Sequence, residues 1–144
     1  MKSMNEHGQV RAVAALALVW VLAGCSATTS FSVLENAPVD QDKPASLDTE
    51  GIVASDTMRY LAEQDGRSYY IARPADEFER SICLVIDQNG QAIIGCGGYI
   101  EGALTPAVGV TTPEVEVMLA PDGYDVEEYA ELGWAALHPN LILR

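Results

Sequence analysis

The hydrophobic pattern divides the chain into three stretches. An uncharged apolar run covers residues 12–22 and sits behind a short region carrying Lys2 and Arg11. From Ser26 to about Glu50 apolar residues are scattered among Ser, Thr, Asp and Gln, and Pro38 and Pro44 interrupt any period. This composition predicts a flexible tether over 25–50, because so little apolar surface cannot offset the entropy of ordering the chain. The alternative is that Phe31, Val33 and Leu34 dock on the following domain as an edge strand. Residues 51–144 are patterned throughout and long enough for one small domain.

Within 51–144, Ser55 or Asp56 is placed to cap a short helix through about Gln64, with Met58, Leu61 and Ala62 on one face and Asp65-Gly66 ending it. Residues 68–73 read as a strand, and Pro74 to Arg80 as a polar connection. Two apolar runs, 81–87 and 92–96, then flank Gln88-Asn89-Gly90-Gln91. Asn-Gly between such runs predicts a two-residue type I′ hairpin, since both central positions take positive φ. In that register Gln88 faces Gln91, and Cys83 faces Cys96. Alternation from the hydrogen-bonded 88/91 pair makes 83/96 a non-hydrogen-bonded pair, with Cα atoms about 4.5 Å apart, close enough for a disulfide. Two reduced buried cysteines are the alternative, and a metal site with His138 is less favoured. Residues 114–119 alternate as a half-exposed strand, Pro121-Asp122-Gly123 forms a turn, and Asp125 with Glu128 predicts a capped helix with Val126, Tyr129 and Ala130 inward. Leu141-Ile142-Leu143 makes a last strand. The expectation is a small α+β domain with a mainly antiparallel sheet of four to six strands, one or two short helices and a disulfide-bridged hairpin.

The first stretch carries a resemblance. An 11-residue apolar core is too short to span a bilayer and matches a secretory signal. It closes on Leu22-Ala23-Gly24-Cys25, which resembles the lipobox of bacterial lipoproteins. The resemblance implies a signal peptide over 1–24, a diacylglyceryl group on the Cys25 thiol, and attachment to the extracytoplasmic face of the cell membrane. An uncleaved anchor and an ordinary secretory signal are the other readings. Two acyl chains give stable attachment where one holds only marginally. Export also implies an oxidising compartment, in keeping with a Cys83–Cys96 bond. The Cys83-Leu84-Val85, Gly95-Cys96-Gly97 and Pro121-Asp122-Gly123 elements further resemble small uncharacterised lipoproteins of high-GC Gram-positive bacteria, a likeness that carries no activity.

Charge narrows the partners. The chain has 8 Lys/Arg and 21 Asp/Glu; removal of residues 1–24 takes away Lys2, Arg11 and Glu6, leaving 6 against 20, a net of −14. That balance opposes nucleic acid, whose phosphates require basic residues, and opposes adhesion to anionic lipid. Candidate chemistry is sparse. His138, the one histidine after residue 24, precedes Pro139 and has no nucleophile in a recognisable spacing. Asp87-x-Asn89-Gly90 matches the first positions of a calcium loop but lacks its distal Glu. Asp76/Glu77 and Glu127/Glu128 read as solvated faces. Tyr69, Tyr70, Tyr99 and Trp134 suit a core better than a ligand groove. The sequence therefore predicts no catalytic residue, metal or cofactor, and a monomeric, lipid-anchored binding module. A ligand- or cation-binding accessory of a transporter ranks second and a small hydrolase third.

Overall fold

The computed structural model describes residues 30–76 and 78–144. Eight strands form two four-stranded sheets. The first is a meander of β1 (Arg59–Gln64), β2 (Arg67–Ala72), β3 (Ser81–Gln88) and β4 (Gln91–Gly98), all antiparallel. The second contains β5 (Val108–Thr111), β6 (Glu116–Leu119), β7 (Ala135–His138) and β8 (Leu141–Leu143) in the order β5-β6-β8-β7. Face-to-face packing buries Leu61, Tyr69, Ile71, Ile82, Leu84 and Ile86 of the first sheet against Val117, Leu119 and Leu141 of the second. At the margins β4 lies against β5, and β1 against β7.

The hairpin follows the sequence expectation. Asn89 and Gly90 have φ of 56° and 83°, the two positive values a type I′ turn needs, and the Asp87 carboxylate accepts from Gly90 N–H at 2.7 Å. Gln88 pairs with Gln91 and Cys83 with Cys96, and the two cysteines form a disulfide across Cα atoms 4.0 Å apart. The β3 run Ile82–Ile86 is buried at every position because both faces of its sheet are covered. Tyr70, Ala72, Cys83 and Val85 point away from the second sheet, and Leu47, Val53 and Met58 close over them.

Three expectations are corrected. The domain is almost wholly β instead of α+β, with two four-stranded sheets and only short 3-10 turns among the described residues. The helix expected through Gln64 is strand β1. Met58 and Leu61, which a helical period places together, lie on opposite faces of the first sheet. A bulge between Tyr60 and Ala62 turns Leu61 and Ala62 to the same side, and this irregularity mimics helical spacing. Asp65-Gly66, with φ of 53° and 73°, is a second tight hairpin turn and not a helix cap. The capped helix expected after Asp125 is a 3-10 segment, Glu127–Leu132, that buries nothing; Tyr129 and Ala130 are exposed, and Tyr129 stacks on Tyr124.

The stretch expected to be a tether has fixed points on the domain. Residues 30–50 pack on the domain: Phe31 is 3% exposed and Leu34 8%, both in the main core, held in a 3-10 turn instead of the edge strand that was the alternative. Polar anchors fix this segment. The Asp122 backbone N–H donates to Ser30 O at 2.8 Å, while its carboxylate accepts from Ser32 N–H and from the buried Asn140 amide, each at 2.8 Å. Asp42, 3% exposed, accepts from Val39 N–H at 2.8 Å and from Tyr60 N–H of β1 at 2.6 Å. The buried Arg59 donates to the carbonyls of Asn36, Asp56 and Met58. Buried polar groups of the segment thus find their partners in the domain, beside its two apolar anchors. The signal region and Cys25 lie outside the described residues.

Candidate functional site

The outer face of β4 carries a depression. Because the hairpin register puts Ala92, Ile94 and Cys96 on this side, the strand forms its floor, with the disulfide at one end. The loop around Gly51-Ile52 forms one wall and is tied down by the pairing of Val53 with Pro74, with Ala54 N–H donating to Arg73 O and Ala75 N–H to Ile52 O, each at 2.9 Å. Pro74, Ala75, Asp76, Phe78 and Ser81 line the depression as well, and Phe78 projects with 68% of its surface exposed. Ile52, 46% exposed, separates a groove of about 640 Å³ beside Cys96 from one of about 460 Å³ beside Ile94. Among the described residues, Asp48, Glu50 and Asp76 are the charged side chains lining the two grooves, and no basic residue lines either.

The β4 backbone adds to this surface. Alternation from the 88/91 pair points the N–H and C=O groups of Ala92, Ile94, Cys96 and Gly98 away from β3. No backbone or side chain among the described residues bonds to them, and Cys96 and Gly98 are exposed. β5 packs on the inner face of the same strand, where a Cβ on Gly95 would stand 2.8 Å from Val110 Cγ2. A side chain at Gly95 would thus force Val110 to shift.

The sequence candidates fall elsewhere. Cys83 and Cys96 are joined, so neither offers a thiol. His138 ends β7 and is half-buried. Burial lowers its pKa, Asp122 opposes that shift, and Nδ1 accepts the Asn140 N–H at 3.0 Å. Tyr69 and Tyr70 are core residues on opposite faces of β2, where burial raises both phenol pKa values. Tyr99 packs edge-on against Phe31, and Trp134 lies 5.0 Å under the Arg144 guanidinium. Asp87 and Asn89 serve the hairpin turn. Among the described residues no three His, Cys, Asp or Glu side chains are grouped to hold a metal ion, and no helix is long and apolar enough to cross a membrane.

A second corner, about 220 Å³, lies between β2 and β6. There Arg67 stands 3.6 Å from Glu114 with its Nε unpartnered, and Arg144 pairs with Glu116 at 2.7 Å. Each guanidinium there already faces a carboxylate, so this corner is an ion-pair cluster. Ile52 and Phe78 are the functional candidates that sequence reasoning passed over. The available signal was one aromatic residue set in the polar connection Asp76 to Arg80. No protein-family model, curated protein or solved structure matches this chain, so the functional reading rests on its own residues.

Proposed function

We propose that this protein is a lipid-anchored module of the bacterial cell envelope. A diacylglyceryl group on Cys25 holds it at the extracytoplasmic face of the cell membrane, and it binds a partner without catalysing a reaction. The partner is a basic, extended segment of another envelope protein, which adds as a strand along β4 and seats apolar side chains against Ile52 and Phe78.

The single observation that carries this reading is the unguarded edge of β4. Edge strands are usually blunted by charge, bulges, brevity or cover. β1 has a bulge and its Tyr60 N–H is taken by Asp42; β5 and β7 have four residues each, and β7 also has a bulge. β4 has eight residues, no charge, no proline and a regular register. Strand addition draws affinity from such backbone groups and selectivity from side-chain pockets beside them. The acidic lining favours a basic segment and disfavours a second copy, whose own Asp48, Glu50 and Asp76 would face these.

Ten-residue peptides of alternating Lys and Val test the reading against alternating Glu and Val by titration with the full-length protein in detergent. The basic peptide should bind about tenfold or more tightly than the acidic one, and less tightly as salt is raised. N-methylation of one alternate set of its amides should abolish binding, and of the other set should not. Equal binding of both peptides, or indifference to which amides are methylated, would reject strand addition.

A further inference from the structure

The loop that follows β4 places two large apolar side chains in water beside the point where the chain enters the fold. Ile100 is 75% exposed and Leu104 61%. Between them Ile100 O accepts from Ala103 N–H at 3.0 Å, and Gly102 has φ of 78°, so a tight turn holds both side chains outward. The same turn is pinned to the chain entry: Gly102 N–H donates to the Ser30 hydroxyl at 3.0 Å, and Ser30 is itself 7% exposed. Leu104 also lies over the Pro121-Asp122-Gly123 turn that anchors Ser30, with Cδ2 3.9 Å from where a Cβ on Gly123 would stand.

Chain reach then fixes what meets this loop. Ser30 is five residues beyond Cys25. At no more than about 3.6 Å per residue, the Ser30 end of the body lies within roughly 18 Å of a lipid carried on Cys25. A domain of this size is about 35 Å across, from a radius of gyration near 13 Å. The connection is thus about half the breadth of the body, and the Ser30 end must face the bilayer. We infer that the Ile100–Leu104 loop is a membrane contact: Ile100 and Leu104 enter the interfacial layer next to the Cys25 lipid and set the orientation of the domain. Apolar side chains at that depth add to the acyl chains as a further attachment. Glu101, between them, makes an electrically neutral surface the better fit and a strongly anionic one the worse.

This inference rests on lipidation of Cys25, and the experiment separates the two. Full-length protein purified from membranes is spin-labelled at Ile100→Cys, Leu104→Cys or, as an exposed control, Leu132→Cys, and reconstituted into phosphatidylcholine vesicles. Mass spectrometry establishes the lipid on Cys25 in the same samples. Labels at 100 and 104 should become accessible to oxygen and shielded from a water-soluble nickel relaxant, while the label at 132 stays in water. Replacing phosphatidylcholine by phosphatidylglycerol should reduce the shielding. Labels at 100 and 104 that remain in water on protein carrying the lipid would overturn the loop contact and leave the anchor standing. Absence of the lipid from protein made in its native host would overturn both.

Discussion

Replacing Phe31 by Ala probes whether residues 30–50 belong to the fold. Phe31 is 3% exposed in the core between the sheets, and its ring meets Tyr99 edge-on with centroids 5.3 Å apart. Truncating a buried Phe costs about 3–5 kcal/mol, the sum of lost transfer free energy and the cavity left behind. A small domain has about 5–15 kcal/mol in all, so the loss is roughly a fifth of its stability or more. At roughly 4 °C per kcal/mol for this chain length, the midpoint should fall by about 12–20 °C. Phe78→Ala supplies the internal control, since Phe78 is 68% exposed and its truncation should stay within about 0.5 kcal/mol. Equilibrium urea denaturation and thermal unfolding of the chain from Ser26, followed by tryptophan fluorescence, read both variants with the disulfide intact. If Phe31→Ala matches Phe78→Ala, residues 31–34 are a tether after all, and the short reach used to orient the domain fails with them.

Three further outcomes follow from particular contacts. Replacing Cys83 and Cys96 together by Ala should cost about 3 kcal/mol, from the entropy returned to a loop with a separation of 13, measured by the same denaturation. Non-reducing peptide mapping should find the two cysteines joined in exported protein. Gly95→Val should destabilise by about 1–3 kcal/mol, because its Cβ would meet Val110 Cγ2 at 2.8 Å, whereas Gly98→Val on the open edge should cost less than 1 kcal/mol. His138 has a folded pKa below 6.5, from burial, so the unfolded chain binds its proton first. Its contribution is complete above pH 6.5 and is lost as pH falls through the lower folded value. Denaturation between pH 7.5 and 5.5 should show wild type losing stability that His138→Gln does not lose, and NMR should find the imidazole titrating below 6.5.

The sequence is most legible where one local device decides the structure. Asn89-Gly90 sets the turn, the turn sets the register, and the register brings Cys83 to Cys96. It is least legible where a long-range contact overrides a local pattern. The bulge in β1 gives Met58, Leu61 and Ala62 a helix-like spacing, although Met58 packs on the far side of the sheet. Phe31 and Leu34 sit in a stretch too polar to fold alone, and what buries them is the two sheets already formed. The groove was hidden for a related reason. Ile52 and Phe78 are far apart in sequence, and the pairing of Val53 with Pro74 brings their loops together beside β4.

Backbone hydrogen exchange, compared between the protein in its native membranes and the same protein solubilised and purified, tests most directly whether β4 is the working edge. The amides of Ala92, Ile94, Cys96 and Gly98 have no partner among the described residues, so they should exchange fast in the purified protein. They should be protected in membranes, where a bound segment accepts from them. The amides of Ile93 and Gly95, already paired with β3, should be slow in both. Equal exchange of the outward amides in the two samples would contradict the account.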